Sequence, residues 1–263
     1  MYDFAYEKPT ALSAAVASLQ ANADSKALAG GQTFIPVLKQ RLNKPSVVVD
    51  LASLGLSGIT VTPTTVTIGA MTKHADVANS AEVKKAIPAL ADLADNIGDR
   101  QVRQRGTIGG SLANNDPSAC YPSAALALGA TITTDRRSIA AEDYFQGMFT
   151  TALEEGELIT SISFPIPERA AYQKFRNPAS RYAMVGVFVA KFPAGVRVAI
   201  TGAAQGGVFR HDAFETALSA KFAPEAIAGI TTPADDLNSD IHASAEYRAH
   251  LIGVMAKRAV AAA

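Results

Sequence analysis

The sequence predicts an α+β protein of two domains, a larger one over residues 1–167 and a smaller one over 168–263. Short β-branched runs alternate with helical stripes through the first part of the chain. Residues 158–164 then alternate in the manner of a strand, and Pro165-Ile166-Pro167 ends that strand. Beyond this boundary three strands joined by short turns are combined with helices, a pattern typical of a second, α+β domain.

The larger domain divides into two lobes, about 1–57 and 58–167. In the first lobe Leu12, Val16 and Leu19 fall on one helical stripe, and Thr10 is the expected N-cap. A β-branched run at 47–51 predicts a buried strand. The expected elements are a helix from residue 12, a strand over 26–29, a helix over 34–42 and a strand over 47–51.

The second lobe begins with a predicted β-hairpin whose turn is formed by Pro63 and Thr64. Thr72 is the expected N-cap of the helix that follows. The expected elements are strands over 59–62 and 65–68, helices over 72–77, 82–96 and 122–128, and strands over 130–134 and 158–164.

The smaller domain is predicted to contain a three-stranded sheet. Its strands are expected over 172–176, 184–192 and 196–202, and its helices over 209–218 and 244–261. Tyr247, Leu251 and Val254 form one stripe of the last helix.

The composition excludes several functional classes. Net charge is zero and the pI is about 6.9, so nothing indicates nucleic-acid binding. The single cysteine, Cys120, cannot supply the thiolates of an iron–sulfur cluster. The four histidines lack metal-ligand spacing, and no catalytic pair is identified. The N-terminus has no apolar signal core and no segment is long enough to span a membrane, so the expected location is cytoplasmic.

Two glycine-bearing segments are the most informative feature. They read Ala29-Gly30-Gly31-Gln32-Thr33 and Thr107-Ile108-Gly109-Gly110-Ser111. Paired glycines permit positive φ and close approach to a ligand, and successive N–H groups in such turns suit a diphosphate. Neither segment is a P-loop or a Rossmann fingerprint. Two ordinary turns are the alternative for either segment alone.

The residues around these segments form a more specific pattern than the glycines alone. The ordered set 29–42, 68–72 and 107–117, continued by 157–165, 172–176 and 245–248, resembles the FAD-binding medium subunit of molybdenum hydroxylases. That family includes the carbon monoxide dehydrogenase medium subunit and the xanthine dehydrogenase flavin domain. The resemblance implies a two-lobed FAD-binding domain of the PCMH (vanillyl-alcohol-oxidase-like) type.

The resemblance also implies a cofactor site. The residues expected to wrap the FAD diphosphate and ribityl chain are Leu28, Ala29, Gly30, Gly31, Gln32, Thr33, Phe34, Ile35, Thr107, Ile108, Gly109, Gly110 and Ser111. Ser111 stands where the family commonly has asparagine, and Cys120 stands where it typically has aspartate. A thiol is a weak hydrogen-bonding partner, so FAD binding is weaker than usual unless Asn114, Asn115 or water substitutes.

Five further residues match family positions near the flavin: Ile97, Ile159, Lys174, Arg176 and Tyr182. Either Lys174 or Arg176 would place a cation at the pyrimidine edge, and the sequence does not decide between them. A ring at Tyr182 would control access of an electron acceptor. The alternatives are a core isoleucine at Ile97, solvated charges on the strand, and an aromatic residue that fills a gap between strands.

The implied function is an FAD-containing electron-transfer subunit. FAD in this chain would receive electrons from two [2Fe–2S] clusters of a small subunit, and a large subunit would hold the molybdenum cofactor. The resemblance further implies a dimer of such heterotrimers. Two alternatives stay open: a self-contained flavin reductase or oxidase of the same fold, and an assembly subunit with lost or weak FAD binding.

Overall fold

The computed structural model describes all 263 residues. The first lobe has a three-stranded parallel sheet in the order β1-β3-β2. Its elements are β1 (Ala5–Glu7), α1 (Leu12–Ala21), β2 (Lys26–Leu28), α2 (Phe34–Lys39) and β3 (Val47–Asp50). Ala15 and Leu19 of α1 pack on Val49 and Leu51, so this lobe has a small core of its own.

The second lobe is organised around a five-stranded antiparallel sheet in the order β4-β5-β10-β6-β7. Its strands are β4 (Ile59–Val61), β5 (Thr65–Gly69), β6 (Thr131–Thr134), β7 (Ser138–Ala140) and β10 (Ile159–Pro165), and a separate hairpin pairs β8 (Phe145–Gly147) with β9 (Thr150–Thr151). Its helices are α3 (His74–Asn79), α4 (Ala81–Ala86), α5 (Pro88–Asp95), α6 (Arg100–Arg103), α7 (Ile108–Asn114), α8 (Tyr121–Leu128) and α9 (Ala141–Tyr144).

The C-terminal part has a four-stranded antiparallel sheet in the order β11-β12-β13-β14. Its elements are β11 (Arg169–Arg176), β12 (Ala183–Phe192), β13 (Gly195–Ala204), β14 (Gly207–Arg210), α10 (Asp212–Ala220) and α11 (Ala245–Ala262). Val185 and Val187 of β12 face the core formed with α10 and α11, while Phe188 faces the core of the second lobe. The sheet is therefore covered on both faces, and β11 packs against α5 of the second lobe.

The sequence predicts three strands in this sheet, and the structure has four, so that prediction was wrong. The last two residues of β14, Phe209 and Arg210, lie where the sequence predicts the start of a helix. The helix begins only at Asp212, because His211 caps it by accepting a hydrogen bond from the Phe214 N–H. Ile166 and Pro167 lie between β10 and β11, and the domain division at residue 167 stays a prediction.

Most other elements lie where the sequence predicts them, but helix starts differ. Ala11, not Thr10, is the N-cap of α1. Lys73 precedes α3 as its N-cap, because the Thr72 hydroxyl bonds to the backbone of Gly58 instead. The single helix expected over 82–96 is divided before Pro88, whose ring is incompatible with a helix interior. No helix of this chain combines the length and the apolar character that crossing a membrane requires.

Candidate cofactor-binding cleft

The first glycine segment forms the turn between β2 and α2. Gly31 adopts a positive φ of 72°, a conformation that disfavours side chains with a Cβ. Gly30 has a different requirement: a Cβ there would overlap the carbonyl oxygen of Arg105. The side chains of Leu28 and Ile35 pack on Gly31 and support the turn.

The second glycine segment is the first part of α7. Thr107 caps this helix, with its hydroxyl accepting a hydrogen bond from the Gly110 N–H at 3.2 Å. The Gly109 N–H donates to the carbonyl of Ala70 at 2.8 Å, and a Cβ on Gly109 would overlap Ala70. Gly109 and Gly110 have no positive φ, so they are required for close approach and not for a special backbone conformation.

The two segments pack against each other and both line one cleft with a volume of about 560 Å³. This volume lies in the range of small-molecule and cofactor sites. Fifteen of the nineteen predicted site residues line the cleft. They are Ala29, Gly30, Gly31, Gln32, Thr33, Phe34, Ile97, Thr107, Gly109, Gly110, Ser111, Cys120, Ile159, Lys174 and Tyr182. The folding of the chain thus brings together segments that are far apart in the sequence.

The structure places the other four predicted residues away from the cleft. Leu28 and Ile35 pack behind the first turn, as described above. Ile108 is fully buried in the core of the second lobe, because it lies with Leu112, four residues on, on the face of α7 that packs inward. Arg176 lies at a separate polar cavity of about 250 Å³, where it donates to the Asn96 side-chain oxygen at 2.8 Å.

Lys174 and Cys120 meet at the cleft wall. The Lys174 ammonium donates to the Asn96 carbonyl at 2.6 Å and lies 3.5 Å from the Cys120 sulfur. Cys120 is buried, with 5% of its surface exposed. Of the two candidate cations, Lys174 is therefore the one that lines the cleft.

Of the arginines before the second glycine segment, Arg103 has side-chain partners within the chain. Arg103 pairs with Asp95 at 3.3 Å and donates to the carbonyls of Ile97 and Gly98. These contacts fix the backbone of the segment that presents Ile97 to the cleft. Arg105 contributes its carbonyl to the contact with Gly30.

Tyr182 lies at the mouth of the cleft, with about half of its surface (53%) exposed. Burial and the neighbouring Asp116 raise the pKa of its phenol. The turn that carries it is held by Asn177, whose side-chain oxygen accepts from the N–H groups of Ala179 and Ser180. Arg181, next to Tyr182, has a positive φ of 62°. The position of the ring is thus set by a tight, hydrogen-bonded turn.

His74 was missed by the sequence reasoning, although it lines the cleft. Only 5% of its surface is exposed, and its Nδ1 has no hydrogen-bond partner within the chain. Burial, with a smaller contribution from Arg103, lowers the pKa of His74 to about 4. The imidazole is therefore neutral at physiological pH. A polar residue on the buried face of a helix was the only available signal.

Glu157 was also missed. Its carboxylate accepts hydrogen bonds from Arg137, from the Thr134 hydroxyl and from the Glu154 N–H. Chiefly through the hydrogen bond from Arg137, the pKa of Glu157 is lowered to about 2. This network fixes the segment through Ile159 that lines the cleft. No local sequence pattern predicts this network, because Arg137 and Thr134 come from a neighbouring hairpin.

These features fit a dinucleotide. Glycines form both walls where a Cβ would fill space or collide, and an unpartnered buried nitrogen faces the same region. No group of three His, Cys, Asp or Glu side chains is arranged to hold a metal ion. The two lobes, the cleft between glycine segments and the C-terminal sheet define an FAD-binding flavoprotein subunit.

Comparison with known proteins identifies the family. Residues 2–167 match the family described as the FAD binding domain in molybdopterin dehydrogenase, and the chain belongs to this family. It is therefore an FAD-containing subunit of the molybdenum hydroxylases and part of an oxidoreductase. The family, function and cofactor predicted from the sequence are confirmed, as is the fold class apart from the fourth strand of the C-terminal sheet.

Named relatives span nearly the whole chain. The carbon monoxide dehydrogenase medium chain of Afipia carboxidovorans is 36% identical over 98% of this chain and 95% of its own. The nicotine 6-hydroxylase medium subunit of Paenarthrobacter nicotinovorans is 35% identical over 97% and 95%. The solved carbon monoxide dehydrogenase of Hydrogenophaga pseudoflava superposes with a TM-score of 0.88 at 34% identity, covering 100% of this chain and 97% of that one.

Proposed function

We propose that this chain accepts electrons from the iron–sulfur clusters of a partner subunit and passes them to an external acceptor. The observation that carries the proposal is the glycine-walled cleft, because it is built for a dinucleotide and offers no metal site. When bound, FAD supplies the redox chemistry, while the protein supplies placement and electrostatics.

The glycine segments are proposed to hold the diphosphate. Gly30 and Gly110 let the two segments pack closely together at the cleft, because a Cβ on Gly30 would overlap the Arg105 carbonyl and one on Gly110 would crowd Thr107. The N–H groups of Ile108, Gly109 and Gly110 are bonded within the chain, so the amides offered to the diphosphate are proposed to come from the first segment. Ile97 and Ile159 provide apolar surface for the rings. Lys174 supplies a cation at the wall, and Tyr182 screens the mouth.

The partners belong to the proposal as well. The relatives are named medium chains or medium subunits, and a medium subunit implies a larger and a smaller one. We propose that this chain assembles with a small iron–sulfur subunit and a large molybdenum-cofactor subunit, as a dimer of heterotrimers. We also propose a cytoplasmic location, and fractionation of the source cells tests it.

The test uses the chain alone and the chain co-expressed with its neighbouring genes. The isolated chain should bind a single FAD noncovalently, so acid denaturation should release all yellow colour into the supernatant. It should oxidise no substrate of the complex, whereas the co-purified assembly should reduce a dye with that substrate.

Two results would overturn the proposal. FMN in place of FAD, or flavin that stays with the precipitated protein, would contradict the proposed cleft chemistry. Substrate-to-dye turnover by the isolated chain would show a self-contained flavoenzyme instead. The mass of the assembly, measured by light scattering, decides between one heterotrimer and a dimer of heterotrimers.

A further inference from the structure

Lys174 is a cation without an anionic partner. Its ammonium makes no ion pair within the chain, and its contacts are the carbonyl of Asn96 at 2.6 Å and the sulfur of Cys120 at 3.5 Å. Asp95, which lies at the polar cavity beside Lys174, is paired with Arg103 at 3.3 Å. Asp92 lines the same cavity, but no carboxylate lies within ion-pair distance of the Lys174 ammonium.

The polar neighbours of the Cys120 sulfur are the Lys174 ammonium and the Tyr172 phenol, and no carboxylate contacts it. Tyr172 is buried, and its hydroxyl has no hydrogen-bond partner by geometry. Burial and the neighbouring Cys120 raise the pKa of the Tyr172 phenol well above its ordinary value. The wall at this point thus contains a thiol, a phenol and one ammonium, and both Cys120 and Lys174 line the cleft.

We propose that the absence of a carboxylate at position 120 leaves the charge of Lys174 available to the cleft, where it raises the reduction potential of bound FAD. This inference rests on the proposed function of the cleft. A cation at a partly desolvated wall favours the cofactor form that carries more negative charge, which is the reduced form. Cys120 influences the cofactor only through Lys174 and is therefore a positioning residue.

A carboxylate at position 120 would lie beside the ammonium and form an ion pair. The field of Lys174 in the cleft would then be largely cancelled. Cys120→Asp and Lys174→Gln should consequently act in the same direction, one by neutralising the charge and the other by removing it. Cys120→Asn has nearly the shape of Cys120→Asp without its charge and is the matched control. Arg176→Gln controls for a cation on the same strand that faces the other cavity.

The experiment is a potentiometric titration of the FAD-loaded chain against a reference dye, followed by absorbance. In Cys120→Asp and Lys174→Gln the preference for reduced over oxidised FAD should fall about tenfold, which is a potential about 30 mV lower for a two-electron couple. Cys120→Asn and Arg176→Gln should stay near the wild-type potential. The affinity for oxidised FAD, measured by flavin fluorescence, shows separately whether each variant retains the site.

The possible outcomes distinguish a failure of this inference from a failure of the proposed function. Equal potentials in wild type, Cys120→Asp and Lys174→Gln, with FAD bound in all three, would overturn the inference alone. A shift in Cys120→Asn as large as that in Cys120→Asp would also overturn it, because shape and not charge would be responsible. A wild-type chain without FAD would overturn the proposed function, and this inference with it.

Discussion

Gly30 packs directly on the carbonyl oxygen of Arg105, so the two glycine-bearing walls of the cleft touch each other at this point. The contact joins the turn after β2 to the segment that leads into α7. The separation of the walls is therefore set by the absence of a Cβ at residue 30. A small change at one wall must displace the other.

Gly30→Ala should weaken or abolish FAD binding. The added methyl group would force the Arg105 backbone away, and such overpacking costs about 1–3 kcal/mol of folding free energy. Urea unfolding and flavin titration of the purified variant measure both effects. Gly253→Ala is the matched control, because Gly253 lies within α11 and a Cβ added to it would contact no other residue.

The control substitution should change the stability in the opposite direction. Glycine in a helix interior is less favourable than alanine by about 0.5–1 kcal/mol, so Gly253→Ala should be slightly more stable and should bind FAD normally. If Gly30→Ala retained full stability and affinity, the close contact between the walls would have no role in cofactor binding.

Glu157→Gln should destabilise the protein at neutral pH by about 1.5–3 kcal/mol, the contribution of a hydrogen bond to a charged group. The folded-state pKa of Glu157, about 2, lies below its ordinary value of 4.5. The contribution of the carboxylate is thus fully present above pH 4.5 and is lost as the pH falls toward 2. The difference in unfolding free energy between wild type and Glu157→Gln should shrink over this range.

Glu154→Gln is the control for Glu157. Its side chain is 61% exposed and shares the same arginines, and exposed ion pairs contribute at most about 1 kcal/mol. Chemical unfolding of both variants at several pH values provides the measurement. Equal effects of the two substitutions would contradict the importance of the buried network.

His74 should make folding sensitive to mild acid. Its folded-state pKa of about 4 lies below the ordinary 6.5, so the unfolded chain takes up a proton first as the pH falls. Stability should decline between pH 6.5 and pH 4, by about 3 kcal/mol in total from this group. In His74→Gln that component should be missing, and the stability curve should be flatter over the same range.

The same substitution at the exposed His250 serves as the control for His74. It should keep the pH dependence of the wild type. A His74→Gln protein whose stability falls as steeply as that of the wild type between pH 6.5 and 4 would mean that the imidazole is not held neutral by burial.

Much of the fold could be predicted from the sequence because its signals are local. The alternation over 158–164 and the valines of 47–49 identify strands through side-chain periodicity alone. Helix starts were less predictable. Thr72 is a good capping residue, but its hydroxyl bonds to Gly58, a partner that only the folded chain brings near.

The site was predictable where backbone conformation and motif carry the information, as at Gly31. It was not predictable where burial or a distant partner decides. Lys174 and Arg176 are two residues apart on one strand with a register shift after Phe175, and both line the polar cavity, but only Lys174 also reaches the cleft. The roles of His74 and Glu157 likewise arise from their surroundings and not from their neighbours in the sequence.

Tyr182→Ala should speed the oxidation of reduced, FAD-loaded protein by an external dye. The ring is half exposed at the mouth of the cleft, and the Asn177 turn fixes the backbone that carries it. Its removal widens the mouth without touching the glycine walls, so the affinity for FAD should change little. Stopped-flow absorbance after chemical reduction measures the oxidation rate, and several dye concentrations separate access from the chemical step.

Tyr182→Phe is the matched variant for this test. It keeps the ring and removes only a hydroxyl that makes no hydrogen bond within the chain, so its rate should equal that of the wild type. A severalfold faster rate in Tyr182→Ala alone would identify the ring as a screen. If both variants reacted at the wild-type rate, acceptors would reach the cleft by another path. If both were faster, the phenolic oxygen and not the ring would limit access, since only the oxygen is lost in both.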